Sequence, residues 1–206
     1  MFNKRKKIVS FLVSGRGTNF KAVAEKILSG YINAKTGIVI SNSTESLALE
    51  KSREMGIESI AIEPKNFRTR EEHEIEIIKH LKKHQTDLVV AAGYMRLLTP
   101  FFINQFRHSI INIHPALLPS FPGKNAQQQA LDYGVRITGC TTHFIDEGTD
   151  TGPVILQTPV IVSLTDDINS LSSKILKEEH KILIESVKLF CEDRLTVKDH
   201  KVIIKE

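Results

Sequence analysis

Asn112 and His114 stand two positions apart at the end of the apolar run Ile110-Ile111-Asn112-Ile113-His114-Pro115. On a strand that spacing sends both polar side chains to one face and Ile113 to the other, and Pro115 stops the ladder. Two polar groups at the end of such a run are costly when buried without partners, so they need a structural or a chemical reason. As structure, they are a hydrogen-bonded asparagine and a satisfied core histidine. As chemistry, an amide donor beside an imidazolium donor binds an oxyanion developing on a carbonyl, which is what acyl transfer requires. No Ser or Cys stands in a nucleophile-elbow motif, so direct transfer between two bound substrates fits better than a covalent acyl-enzyme.

Two further segments carry chemical potential. Asp146, Glu147 and Asp150 fall in the polar loop 146–151 before Gly152-Pro153, which is either a solvated turn or a way of delivering a carboxylate. A carboxylate beside His114 would hold the imidazole charged and collect the proton that an attacking amine must lose. Asp150 is the expected one, because Gly152 and Pro153 would fix the chain just beyond it. Ser14-Gly15-Arg16-Gly17-Thr18-Asn19 follows the first apolar run, where small residues let the backbone approach an anion and a helix N-terminus attracts it. A phosphate is the natural guest. The segment is not the dinucleotide fingerprint, since Phe20 stands three beyond Gly17, and no Walker lysine follows. The alternative is a glycine turn needed only for chain geometry.

These segments need a scaffold, and the apolar pattern predicts one. Ile8 to Val13 reads as a strand buried on both faces, followed by a helix from Asn19 to Ser29. The alternation continues with strands at 36–41 and 57–62 and helices at 46–55 and 70–84. A strand at 87–92, a short helix at 100–106 capped by Thr99, and a strand at 109–114 come next. Beyond them, strands at 139–145 and 153–162 flank the acidic loop. A long amphipathic helix from about Asp167 to Phe190 repeats Ile168, Leu171, Ile175, Leu176, His180, Leu183 and Val187 at helical spacing, and 195–204 forms a terminal hairpin. The expected fold is α/β, a mostly parallel twisted sheet with helices on both faces and antiparallel strands toward the C-terminus. Residues 1–206 read as one domain. Its N-terminal half is a mononucleotide-binding Rossmann-like unit with ligands at the carboxyl ends of the parallel strands, and each segment above, the acidic loop included, is expected at such an end or in the loop near it. The C-terminal half supplies the acidic loop, the long helix and the hairpin.

Composition narrows the function classes. With 206 residues, 41% hydrophobic and 25% charged, the chain can bury a sizeable core, which excludes disorder and fibrous folds. No run approaches the ~18 apolar residues of a membrane span, and the chain reads as cytoplasmic. Cys140 and Cys191 are too few for a disulfide scaffold and lack zinc-site spacing, so no metal is expected. The net charge of +4 is spread over interspersed acidic and basic residues, which favours an anionic small molecule over nucleic acid. An exposed apolar face on a short helix or the hairpin would support a homodimer.

In order along nearly the whole chain, 14–19, Gly93-Tyr94-Met95-Arg96-Leu97-Leu98, the stretch 112–123, Asp150-Thr151-Gly152-Pro153-Val154-Ile155 and Glu178-Glu179-His180 closely resemble the phosphoribosylglycinamide formyltransferase family. The resemblance implies a single-domain Rossmann-like formyltransferase fold and transfer of a formyl group from 10-formyltetrahydrofolate, a co-substrate, to the amine of glycinamide ribonucleotide in purine synthesis. By the same likeness Asn112, His114 and Asp150 are the catalytic trio. Gly17, Thr18 and Asn19 hold the ribonucleotide phosphate, and Glu179 contacts the ribonucleotide further along. The folate lies against Arg70, Met95, Arg96, Leu97, Leu98, Asn112 and the loop residues Asp146, Glu147, Gly148 and Thr149. The chain departs from the pattern at Lys124-Asn125-Ala126-Gln127-Gln128, where histidines are usual, at Ala116 and at Thr18, where serines are common. Methionyl-tRNA formyltransferase and formyltetrahydrofolate hydrolase share the Asn-x-His-Pro core but typically carry an additional domain. A non-catalytic nucleotide-binding module would explain the glycine turn alone.

Overall fold

A computed structural model describes residues 5–91 and 93–206. The first half alternates as its apolar runs require: β1 (Lys7–Val13), α1 (Thr18–Leu28), β2 (Ala34–Ser41), α2 (Leu47–Glu54), β3 (Ser59–Ala61), α3 (Arg70–Lys83) and β4 (Leu88–Val90). Then come α4 (Pro100–Gln105), β5 (Ile110–His114), α5 (Ala126–Tyr133), β6 (Ile137–Phe144), β7 (Val154–Ile161), α6 (Ile168–Cys191) and the hairpin β8 (Leu195–Lys198) with β9 (Lys201–Ile204). The strand expected at 87–92 is the shorter β4, and Ala92 lies outside the described residues. Thr99 caps α4 as expected, its hydroxyl accepting the Phe102 N–H at 3.4 Å, and Asp167 caps α6 through the Ser170 N–H.

Seven strands form one sheet in the order β3-β2-β1-β4-β5-β6-β7. β1 to β5 pair in parallel, and β6 runs antiparallel to both β5 and β7. The strand order reverses between β1 and β4, the switch point at which open α/β sheets leave a crevice. One face packs Phe11, Val13, Val90, Ile111 and Ile113 against α1 and α6. The other packs Leu12, Ile40, Val89 and Ile110 against α3 and α4.

Two expectations need correction. The buried stripe of α6 is Leu171, Ile175, Glu179, Ile182, Leu183, Ser186 and Val187. Ile168 is exposed, and Glu179 takes the inward position that His180 was expected to fill. The acidic loop also does not leave from a carboxyl end of the parallel strands. Because β6 is antiparallel, Phe144 pairs with Ile111 and the loop starts beside the beginning of β5, reaching the site over the sheet face. Among the described residues no helix is long and apolar enough to cross a membrane.

Candidate active site

Asn112 and His114 follow Ile110 on the α3–α4 face of β5, past the end of the helical cover. There the sheet is roofed by loops. Cross-strand register places His143 of β6 opposite Asn112 and Thr141 opposite His114, on the same face. Thr141 ties the roof down: its hydroxyl donates to Ala116 O at 2.7 Å and accepts the Leu118 N–H at 3.0 Å.

The acidic loop delivers Asp150 onto this face. Its Oδ2 lies 3.2 Å from His114 Nδ1 and accepts the Gly123 N–H at 2.8 Å, and its Oδ1 is 3.7 Å from His143 Nε2. Gly152 explains how the loop returns: a Cβ there would meet Phe144 O at 1.8 Å, so no other residue passes so close to the strand end. Asp150 itself adopts φ 56°, a left-handed conformation that Asp tolerates better than most residues.

His114 Nε2 lies 2.8 Å from Phe121 O. A carbonyl only accepts, so Nε2 carries the hydrogen, and both ring nitrogens face acceptors. His143 is set the other way. Its Nδ1 donates to Phe144 O at 3.0 Å, leaving a bare Nε2 to accept from Asn112 Nδ2 at 3.2 Å. Burial pushes the His143 pKa below its ordinary value, with smaller opposing effects from the Phe144 carbonyl and Asp150. A neutral His143 therefore fixes which end of the Asn112 amide donates and leaves its second N–H available to a ligand. The amino-acid pattern alone did not single out His143. Its signal was the alternation of Thr141 and His143 along β6, readable only once the register with β5 is known.

The remaining expected residues form two flanks. Gly17, at φ 65°, precedes α1, and no side chain caps that helix, so its first N–H groups point outward with Thr18 and Asn19. Asn19 Nδ2 donates to Glu179 Oε2 at 2.9 Å, joining the turn to α6. Burial raises the Glu179 pKa, and the Asn19 hydrogen bond offsets part of that rise. Asn19 Oδ1 is buried with no partner, an acceptor awaiting a donor. On the other flank, Arg70 is exposed at the start of α3, Met95 and Leu97 are 73% and 60% exposed, and Arg96 and Leu98 are half-buried. Within the acidic loop Asp146 accepts from Gly148 N and Thr151 Oγ1, and Gly148 and Thr149 are exposed. Glu147, also exposed, pairs with Arg107 at 2.9 Å. The departure at Lys124-Asn125-Ala126-Gln127-Gln128 becomes the entry to α5. Among the described residues no group of three or more His, Cys, Asp or Glu is placed to hold a metal ion.

The family model for formyl transferases matches residues 6–187. The chain belongs to the formyl transferase family. Among curated relatives, the trifunctional purine biosynthetic protein adenosine-3 of Drosophila melanogaster is 41% identical over 87% of this chain, which spans only 14% of that longer protein. The phosphoribosylglycinamide formyltransferase of Haemophilus influenzae is 36% identical over 94% of this chain and 92% of its own. Among solved structures, glycinamide ribonucleotide transformylase 1 from Symbiobacterium toebii superposes with a TM-score of 0.97 at 37% identity, covering 100% of this chain and 98% of that one. The Symbiobacterium toebii structure thus shares the architecture along the whole of this chain.

Proposed function

We infer that this protein transfers the formyl group of 10-formyltetrahydrofolate to the amine of glycinamide ribonucleotide. The observation that carries the reading is the cluster on one sheet face, where Asp150 meets His114 at 3.2 Å and His143 orients Asn112 at 3.2 Å. The glycine turn with Asn19 and Glu179 lies on the ribonucleotide flank, and Arg70, the 95–98 segment and residues 146–149 lie on the folate flank. Between them, the neutral amine attacks the formyl carbon and the carbonyl electrons move onto oxygen. The free N–H of Asn112, and the Nε2–H of His114 once it exchanges Phe121 O for the substrate, stabilise that oxyanion. Asp150 takes the proton from the amine nitrogen and passes it to the folate nitrogen. The carbon–nitrogen bond to folate then breaks, giving the formylated amide and tetrahydrofolate.

The same reading makes the chain one formyltransferase domain acting in the cytoplasm on small molecules, with no nucleic-acid or membrane partner. Phe101 on the short helix α4 and Ile203 and Ile204 on the hairpin are exposed and would supply apolar surface for a homodimer. The deciding experiment mixes the purified protein with 10-formyltetrahydrofolate and follows deformylation with and without glycinamide ribonucleotide. Strict dependence on the ribonucleotide supports transfer. Loss of formyl to water alone would make the protein a hydrolase, and binding without reaction would make it a nucleotide-binding module.

A further inference from the structure

At the switch point between β1 and β4 the two flanks of the site touch through one hydrogen bond. The Met95 N–H donates to Ser14 Oγ at 2.8 Å, linking the segment after β4 to the turn before α1. Ser14 belongs to a turn held elsewhere, because Gly15 O accepts both the Ser46 hydroxyl at 2.9 Å and the Ala48 N–H at 3.1 Å. The far end of the segment is also fastened. The Thr99 N–H donates to Glu74 Oε1 at 2.9 Å and its hydroxyl to Glu74 Oε2, and Glu74 is 2% exposed on α3. Between these ends Met95 and Leu97 face solvent while Leu98 packs on the core beside Thr99, so the open end of the segment is held at the Met95 amide.

One attachment is buried in the core and does not answer to ligands. The other sits on the loop whose remaining N–H groups are open to an anion. A ligand that orders residues 15–19 also orders Ser14, and Ser14 carries the Met95 amide with it. We propose that Ser14 is a positioning residue that couples the two substrates: an anion held on the glycine turn sets the Met95–Leu98 segment through the Ser14–Met95 hydrogen bond and so tightens the site for the formyl folate. By linkage the folate tightens the turn for the anion by the same factor. This rests on the assignment of the turn to the ribonucleotide and of the segment to the folate.

The test is calorimetric titration of 10-formyltetrahydrofolate into the intact protein, alone and with saturating ribose 5-phosphate, which offers the turn a phosphate but brings no amine to accept the formyl group. In the unaltered protein the sugar phosphate should tighten folate binding about fivefold or more, the usual lower range of coupling between sites. Ser14→Ala should bind both ligands with that factor reduced to within about twofold of unity, and Ser14→Thr, which keeps the hydroxyl, should restore it. Unchanged far-ultraviolet circular dichroism in the two variants separates loss of coupling from loss of fold. Binding of both ligands without coupling, or coupling that survives in Ser14→Ala, overturns this proposal alone. Failure of either ligand to bind the unaltered protein overturns the functional assignment and the coupling with it.

Discussion

Asp150 and His143 hold the two polar side chains of β5 by different means, and their substitution should separate those means. Asp150→Asn keeps an acceptor for the Gly123 N–H but loses the charge facing His114, so turnover should fall about a hundredfold or more while the fold survives. Near-normal steady-state turnover in a folded Asp150→Asn protein would remove its assigned role. His143 contributes through acidity as well as geometry. Burial holds its folded pKa below the ordinary value, so as pH falls the unfolded chain takes up that proton first. The stability it contributes is therefore present above about pH 6.5 and is lost as pH drops through that value toward the lowered folded one. His143→Gln, which keeps an acceptor for Asn112, should melt with a shallower loss of Tm between about pH 7.5 and 5.5. His73 and His180 have pKa values lowered in the same direction by burial, so the slope should shrink rather than vanish. An unchanged slope would show that His143 takes up its proton equally readily in the folded and the unfolded chain.

At the scale of elements, the glycine turn is built into the packing of α1 on α2. A Cβ on Gly17 would lie 2.5 Å from Ala48 Cβ at a backbone φ of +65° that L-residues rarely adopt. Gly17→Ala should cost about 1–3 kcal/mol, seen as a lower Tm, and should weaken ribose 5-phosphate more than 10-formyltetrahydrofolate in direct titrations. Equal losses would place the turn outside the anion site. Sequence periodicity made the long elements legible, because strands buried on both faces and amphipathic helices each leave an unambiguous apolar pattern. α5 escaped that reading. It is short, Gln-rich, carries only Ala126 and Ala130 to the core, and starts from Asn125 at φ 58° without a side-chain cap. The inward position of Glu179 escaped too, because an apolar count along α6 skips a carboxylate whose burial depends on Asn19, 160 residues away.

For the molecule as a whole, the pattern predicted which segments would meet but not the route by which they do. The Asn112-His114 pair and the glycine turn were legible as local motifs. Asp150 was expected beside His114 and lies there, but its route was not legible, since it depends on β6 running antiparallel and on a loop that starts beside the beginning of β5. The direction of a strand lives in long-range pairing, which residue spacing alone does not encode. The 95–98 segment has a consequence of a different kind. It places Arg96 between the exposed Met95 and Leu97, on a segment hydrogen-bonded at Met95 and Thr99, which is the sort of backbone a protease can draw into its cleft. Trypsin should nick the free protein after Arg96, and saturating 10-formyltetrahydrofolate should slow the cut, read as fragment masses over time. Since β4 and β5 remain paired across that point, the nicked chain should still elute as one particle and part only in denaturant.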